Sequence, residues 1–349
     1  MPYIVFFIDS LSKGAGTERI TVDVANALVR RGFVVSFVLL NESTDSFFTL
    51  NSRIQIYSLH SSFSQRGKSI VALRQFLKVH KPDYLVNVAF QMAIISIWAC
   101  IGLNCKIVTW DHFFLKAGSV WGYLMRLVSA IFSYRQVVLT KTDRLNYPVI
   151  LRRKILCIPN FTRLNSPKMH SKLTSKIVLS VGRLDVCKGF DLLIEAWKAV
   201  IAVHPDWSLR IIGDGDDREE LNALISASNL SDSVSILFPT KDILSLYLNS
   251  SLYVLSSRFE SFGLVLIEAK SCGLPIVAFD CPCGPRNIVK DGIDGLLVKS
   301  EDVKALSDGI SYLLSNEKLR KKMASSAVID FETNWSEEAV LTMWRKLFV

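Results

Sequence analysis

Apolar, β-prone runs alternate with helix-like stretches along the whole 349-residue chain, and this alternation limits the fold more than any other feature. Strands separated by helices are typical of parallel α/β sheets, in which each helix carries the chain back across a sheet face. The sequence therefore predicts the α/β class with doubly wound sheets. The predicted strands are residues 3–8, 34–40, 54–59, 84–88, 106–110, 136–140, 155–158, 176–181, 208–212, 234–238, 252–255, 276–279 and 296–298.

A polar segment at residues 159–175, with two prolines, interrupts the alternation and is the best candidate for a linker. Because the pattern restarts after it, we predict two Rossmann-like domains, residues 1–165 and 166–330, with a cleft between them. A final helix within residues 331–349 is expected to fold back toward the first domain. The clearest predicted helices are residues 17–31, 119–134, 190–203, 217–228, 243–249, 262–272 and 336–348.

Charge is distributed unevenly between the two halves. Residues 1–165 contain 20 Lys and Arg against 8 Asp and Glu, whereas residues 166–349 contain 21 against 24. A strongly basic half favours an anionic partner. Its basic residues are dispersed without interleaved aromatic residues, which argues against nucleic acid. An anionic membrane surface or a diphosphate-bearing acceptor fits better.

Cysteine usage and the apolar segments indicate a cytoplasmic protein. The seven cysteines show no framework spacing, and with five histidines in the chain no metal site is expected. Residues 3–8 read as a strand with no basic segment before them, so no signal peptide is expected. The uncharged residues 85–103 are nearly long enough to span a membrane, but polar residues interrupt them. We interpret them as a buried strand and a buried helix.

Two carboxylates in the second half, Glu260 and Glu268, lie eight residues apart around a predicted strand-to-helix junction. Gly263 stands at the predicted helix start, where free N–H groups and the positive end of the helix dipole attract phosphate. One loop and one helix would then offer acidic groups for sugar hydroxyls and a cradle for phosphate. This layout suits a nucleotide-sugar site.

Two further loops follow predicted strands of the second half. Arg183 and Lys188 could together neutralise a diphosphate, or they could be two solvated loop charges. The Gly213-Asp-Gly-Asp-Asp217 segment could allow close backbone approach at its glycines, or it could be an ordinary turn with an acidic residue as the N-cap of the next helix.

The first half offers weaker signals. Gly14-Ala-Gly16 starts a dinucleotide-binding fingerprint but lacks its third glycine, so it is either an anion-facing loop or a flexible turn. His112 directly follows a predicted strand. It is a candidate base or hydrogen-bond donor, or else a structural histidine. The apolar helix at 119–134, with Lys116, Arg126 and Arg135 around it, could lie in a membrane interface or in the core.

In order and spacing these motifs resemble the retaining GT-B glycosyltransferases of family 4. The resemblance covers nearly the whole chain and is most specific in the second half. Departures are Phe161 in the hinge, Ser261 beside Glu260, and Pro239-Thr240 in the base-binding region. The motifs are Gly14-x-Gly-x-Glu-Arg19, Gly182-Arg-Leu-x-x-x-Lys-Gly189, Gly213-Asp-Gly215, Glu260-x-Phe-Gly-x-x-x-x-Glu268-Ala, Gly284-Pro-x-x-Ile288 and Asp291-Gly-x-x-Gly295-Leu-Leu-Val298.

The resemblance implies a role for each candidate residue. Arg183 and Lys188 would hold the donor diphosphate without a metal, Glu268 the ribose, and Glu260 the sugar ring. Gly16 would pack against the phosphates from the opposite domain, and His112 would lie under the donor sugar. The expected catalytic residues are His112, Glu260, Arg183 and Lys188. The expected donor-binding residues are Gly16, Arg183, Lys188, Gly213, Glu260, Phe262, Gly263, Leu264, Val265 and Glu268.

The expected function is retaining transfer of a hexose or N-acetylhexosamine from a UDP-linked sugar to a glycan, without a cofactor. The basic first half, the apolar helix and the absence of an export signal favour an acceptor on a polyprenyl diphosphate lipid. The enzyme would act in O-antigen-like or capsule-like biosynthesis at the inner face of the membrane. Alternatives are a GT-B sugar-nucleotide 2-epimerase and a non-catalytic sugar-nucleotide or glycan-binding protein. Assignment as an oxidoreductase would depend on Gly14 and Gly16 alone, without a complete dinucleotide-binding fingerprint.

Overall fold

A computed structural model of the chain describes residues 1–14, 16–41, 43–164 and 169–348. Its contacts divide the chain into two compact units. The first comprises Met1–Asn160 together with Glu337–Val349, and the second comprises Phe161–Ser336. The predicted boundary between residues 165 and 166 falls outside the described residues.

The first unit is built on a seven-stranded, all-parallel sheet in the order β3-β2-β1-β4-β5-β6-β7. Its central strands are buried along nearly their whole length, as expected where helices cover both faces of a parallel sheet. The strands are β1 (Tyr3–Ile8), β2 (Val34–Leu39), β3 (Gln55–Ser58), β4 (Tyr84–Val88), β5 (Lys106–Trp110), β6 (Arg135–Val138) and β7 (Ile155–Cys157). The helices are α1 (Gly16–Arg30), α2 (Arg66–His80), α3 (Phe90–Ala99), α4 (Val120–Phe132) and α5 (Lys141–Asn146).

The second unit repeats the plan with a six-stranded parallel sheet in the order β10-β9-β8-β11-β12-β13. The α/β class with doubly wound sheets is therefore confirmed. The strands are β8 (Ile177–Val181), β9 (Ser208–Ile212), β10 (Val234–Leu237), β11 (Leu252–Leu255), β12 (Ile276–Phe279) and β13 (Gly295–Val298). The helices are α6 (Phe190–Val203), α7 (Arg218–Ala227), α8 (Ile243–Leu248), α9 (Leu264–Ser271), α10 (Pro285–Ile288), α11 (Val303–Ser315) and α12 (Glu317–Asp330), followed by a π-helix at Phe331–Trp335.

The last helix, α13 (Glu337–Phe348), belongs to the first unit although it follows the second in sequence. Glu337 pairs with Arg30 of α1 at 2.8 Å. The buried Trp344 ring lies 4.8 Å from that of Trp110. The first unit is thus completed by a segment from the far end of the chain.

Residues 85–103 fold largely as expected, with β4 fully buried and α3 mostly so. Among the described residues, none of the helices combines the length and apolar character needed to cross a membrane. One predicted helix start is wrong by two residues: α9 begins at Leu264, not at Phe262. Gly263 has a φ of +97°, a left-handed conformation that cannot belong to a right-handed helix.

Candidate donor site and the family of the chain

The loop after β8 carries both predicted diphosphate-binding cations. Asp185 organises this loop, because its carboxylate accepts a hydrogen bond from the Lys188 amide at 3.2 Å. The same carboxylate lies 2.6 Å from Nε of Arg183, whose side chain is 77% exposed. Arg183 therefore points into solvent from a fixed loop and is free to move toward an anion.

Lys188 and Glu260 are brought together although 72 residues separate them in sequence. The Lys188 Nζ lies 2.6 Å from Oε2 of Glu260, and both side chains are largely buried. The loops beneath them are tightly packed: a Cβ on Gly189 would lie 2.2 Å from the Ser256 carbonyl oxygen. The pair is therefore held by two closely packed loops at the carboxyl ends of β8 and β11.

The start of α9 lies beside this pair. Gly263 precedes the helix, and a Cβ built on it would lie 3.4 Å from Cγ of Glu260. The amides of Leu264 and Val265 are in the first turn, where helix geometry provides no carbonyl partner. Phe262 is buried and packs against Trp335. These amides can donate hydrogen bonds to an anion without rearrangement of the helix.

Glu268 lies on α9, buried inside the second unit. Its Oε2 accepts a hydrogen bond of 3.1 Å from the hydroxyl of Tyr247 on α8. Burial raises the pKa of that tyrosine well above its usual value, so its hydroxyl remains a donor. Glu268 is therefore held in a defined orientation. Sequence reasoning missed Tyr247, since a tyrosine in a short apolar helix carries no distinctive signal.

The Gly213 loop approaches the neighbouring backbone closely, which decides between the two interpretations of this segment. A Cβ on Gly213 would lie 1.9 Å from the Gly182 carbonyl oxygen, and one on Gly215 would lie 2.3 Å from that of Leu184. Asp217 precedes α7 but makes no side-chain cap hydrogen bond. The glycines thus let two strand-end loops pack together, and Asp217 does not act as the acidic cap of the alternative interpretation.

In the first unit, His112 follows β5 and is buried against the ring of Trp110 at 4.5 Å. Burial lowers the pKa of His112 to about 3, so the imidazole is neutral near pH 7. Its Nε2 is buried without a hydrogen-bond partner within the described protein. A buried, unpaired ring nitrogen usually indicates a missing partner, such as a ligand or a water molecule.

A buried ionic network fixes the segment around His112. Arg126 on α4 pairs with Asp111 at 2.9 Å and donates to the Ala117 carbonyl. Asp143 on α5 accepts a hydrogen bond of 2.7 Å from the Leu115 amide. Burial raises the pKa of Asp143 to about 7 and that of Asp111 to about 6. Arg126, one of the three cations noted around this helix in the sequence, therefore neutralises Asp111 inside the unit.

Gly16 is the first residue of α1, and a Cβ built on it would meet no atom of the described protein within 4 Å. Nearby, the Gly14 amide donates a 2.9 Å hydrogen bond to the carboxylate of Glu18. Ala15, between the two glycines, lies outside the described residues. The space beside Gly16 is open, whereas one amide of the loop is already occupied.

Comparison with known proteins assigns the family. A sequence profile described as "Glycosyl transferases group 1" matches residues 162–328. An uncharacterised glycosyltransferase of Haemophilus influenzae is 32% identical, and the alignment covers 99% of both chains. The chain belongs to the group 1 glycosyltransferases.

A Campylobacter jejuni relative of this glycosyltransferase is 29% identical over 99% of the chain and 98% of its own length. That relative is named GalNAc-α-(1→4)-GalNAc-α-(1→3)-diNAcBac-PP-undecaprenol α-1,4-N-acetyl-D-galactosaminyltransferase. Among solved structures, Anabaena HepE in complex with UDP and glucose superposes with a TM-score of 0.80 at 18% identity, covering 100% of this chain and 99% of its own. The fold is therefore GT-B, as predicted.

Two further clusters of the glycosyltransferase escaped sequence reasoning because their members are distant in sequence. Arg258 binds Asp191 through two hydrogen bonds of 2.7 and 2.6 Å, which joins the Glu260 loop to α6. Lys270 on α9 is fully buried between Asp294 and Asp330 at 2.8 and 2.7 Å. Both clusters hold the elements that carry the candidate donor residues.

Among the described residues, no group of His, Cys, Asp or Glu is arranged to hold a metal ion.

Proposed function

We propose that this enzyme transfers a hexose or an N-acetylhexosamine, with retention of anomeric configuration, from a UDP-linked donor to a glycan on a polyprenyl diphosphate lipid. It would act in surface-polysaccharide synthesis at the cytoplasmic face of the membrane. The observation that carries the proposal is the Lys188–Glu260 pair beside the first turn of α9. A cation, a carboxylate and free amides together fit a sugar joined to a diphosphate.

The donor is held through its charged and hydroxyl groups. Lys188, Arg183 and the first amides of α9 bind the diphosphate, as a point charge, a planar fork and a helix N-terminus. Glu260 accepts hydrogen bonds from the sugar hydroxyls, and Glu268 accepts them from the ribose. Arg183 exchanges Asp185 for the phosphate, which its exposure permits.

In the reaction, the bond between the anomeric carbon and the diphosphate oxygen breaks while the acceptor hydroxyl oxygen bonds to the same carbon from the same face. The proton of that hydroxyl passes to the departing phosphate oxygen, and nucleoside diphosphate leaves. Negative charge grows on the diphosphate, so preorganised cations and amides lower the barrier. We propose that this arrangement works without a divalent ion.

His112 contributes a hydrogen bond in this scheme and does not transfer the proton. Its lowered pKa makes it a poor base near neutral pH. The unpartnered Nε2 is suited to a sugar hydroxyl. The surrounding Asp111–Arg126 network keeps the imidazole segment in place.

The acceptor proposal is supported by two independent observations. The Campylobacter relative is named for an undecaprenyl diphosphate substrate. The first 165 residues carry a net charge of +12, which suits a diphosphate and an anionic membrane surface.

The test is incubation of the purified enzyme with UDP-, GDP- and ADP-linked sugars and a short-chain polyprenyl diphosphate glycan, with and without EDTA. We expect transfer from a UDP-sugar that EDTA does not abolish, and a product with retained configuration by NMR. An isomerised nucleotide-sugar would instead indicate an epimerase, and binding without turnover a non-catalytic protein. Loss of transfer in EDTA, restored by a divalent ion, would refute the metal-free scheme.

A further inference from the structure

Helix α4 differs from an ordinary surface helix in which of its residues are fully buried. Its buried residues are Gly122, Arg126, Ser129 and Ala130, three of which are polar or glycine. Surface helices normally bury their apolar residues and expose their polar ones. The polar side is used internally, since Arg126 pairs with Asp111 and the Ser129 hydroxyl donates to Gln136 at 2.9 Å. Tyr123 and Leu127 pack partly buried against the core, whereas most other large apolar side chains of the helix are left outside.

The outward residues of α4 form one continuous stripe. Their positions in sequence place them within an arc of about 120° on the helix surface. Trp121 is 65% exposed and Phe132 is 61% exposed, so the stripe extends from the first turn to the last. Its members are Val120, Trp121, Leu124, Val128, Ile131 and Phe132.

An apolar groove continues the stripe between α3 and α4. Its volume is about 740 Å³. Trp98 at its edge is 60% exposed, and Ile101 is similarly exposed. We call the stripe and this groove together the α3–α4 face. Groups of exposed large apolar side chains on one surface usually mark an interaction site.

Cations border the α3–α4 face near the C-terminal end of α4. The Lys106 ammonium lies 5.0 Å from the centre of the Tyr134 ring, and the Arg135 guanidinium lies 4.6 Å from it. Lys154 donates to the carbonyls of Ile131 and Ser133 at the end of α4. Among the described residues that line the groove there is no Asp or Glu. Lys116 is exposed just before the helix.

We propose that the α3–α4 face docks on an anionic lipid bilayer, with α4 lying in the plane of the interface. Aromatic and aliphatic side chains enter the headgroup region, while the bordering cations meet the lipid phosphates. Charge selects this partner over a second copy of the chain, because the same basic border would face itself in a symmetric dimer. The inference rests on the proposed function in that it places the enzyme where a lipid-linked acceptor is found.

Tryptophan fluorescence provides a direct test with the full chain. Trp98 and Trp121 are exposed on the α3–α4 face, whereas Trp110, Trp197, Trp207, Trp335 and Trp344 are buried. Brominated phosphatidylglycerol vesicles should therefore quench the emission, and replacing both exposed tryptophans with phenylalanine should abolish the quenching. Brominated phosphatidylcholine alone, or high salt, should quench much less.

A matched pair of variants separates docking from chemistry. W121E/L124E should bind phosphatidylglycerol vesicles at least about tenfold more weakly, because two large apolar side chains leave the interface and two negative charges enter it. The control Y312E/I329E makes the same charge change at two exposed apolar positions of the second unit. The control should bind vesicles as the wild type does.

Activity distinguishes failure of this inference from failure of the proposed function. W121E/L124E should retain turnover on a short-chain, water-soluble acceptor and lose at least about tenfold on a vesicle-embedded acceptor. Equal vesicle binding by W121E/L124E and wild type would overturn the docking face, as would a wild-type dimer that does not bind vesicles. Absence of transfer by the wild type to either acceptor would count against the proposed function and leave the vesicle result as a separate test of docking.

Discussion

Glu268 offers the sharpest test at the scale of a single residue, because its carboxylate is buried and oriented by Tyr247. We expect Glu268→Gln to weaken UDP binding about ten- to a hundredfold, as a charge-assisted hydrogen bond to the ribose is lost. Isothermal titration calorimetry with UDP measures this. Asp308→Asn, at an exposed ion pair on α11 of the same unit, is the control. Unchanged affinity in a folded Glu268→Gln protein would remove Glu268 from the site.

His112 predicts a pH dependence of stability. Its pKa is lowered to about 3 by burial, so the unfolded chain binds a proton below about pH 6.5 that the folded chain does not. The stability contributed by neutral His112 is therefore present above that pH and is lost as the pH falls toward 3.

The measurement compares the unfolding free energy of wild type and His112→Gln at pH 6.5 and pH 5. Asp111 and Asp143 titrate with the opposite sign in an overlapping range, since their pKa values are raised. The difference between the two proteins isolates His112, and we expect the variant to lose less stability on acidification, by on the order of 2 kcal/mol. His60→Asn, at an exposed position, should behave as the wild type does. Parallel pH curves for wild type and His112→Gln would contradict a buried neutral imidazole.

At the scale of the element, the start of α9 depends on Gly263. Its φ of +97° strains any residue with a Cβ, and that Cβ would also lie 3.0 Å from Leu266 Cδ1. We expect Gly263→Ala to lower stability by about 1–2 kcal/mol and to weaken UDP binding by displacing the first amides of the helix.

Gly292 provides the matched control for α9. It has a φ of +72° and no atom within 4 Å of a built Cβ, so Gly292→Ala carries backbone strain without a close neighbour. Thermal unfolding and calorimetry should show stability losses in both variants and an affinity loss in Gly263→Ala alone. Equal UDP affinities in the two variants would show that the α9 amides do not bind the diphosphate.

At the scale of the whole molecule, the first unit depends on the last helix of the chain. Trp344 is fully buried against Trp110, so Trp344→Ala should destabilise the first unit by about 3–5 kcal/mol through the cavity it leaves. The donor residues of the second unit should keep their affinity for UDP.

Denaturant unfolding with and without UDP tests this separation. We expect Trp344→Ala to lower the midpoint of one transition, and UDP to raise the midpoint of the other. The exposed Arg345 next to it, changed to Ala, should leave both midpoints nearly unchanged. A single transition shifted equally by the variant and by UDP would show that the two units unfold together.

The sequence by itself determined the α/β class, the two series of strands and the positions of the strand-end loops. Apolar runs and turn residues act over short distances, so the strands were predicted to within about two residues at their ends. The glycine and charged motifs around Arg183, Glu260 and Gly263 are equally local. They were sufficient to indicate a nucleotide-sugar enzyme before any contact was known.

The tertiary structure alone decided which distant side chains meet and which way each helix faces. Lys188 meets Glu260 because β8 and β11 are neighbours in the sheet although not in sequence. Tyr247 meets Glu268 because α8 and α9, which flank β11 in sequence, pack together in the second unit. The pattern of α4 fits a core helix as well as an interfacial one. Its apolar stripe remains outside because buried Asp111 requires the charge of Arg126, which turns the polar side of α4 inward.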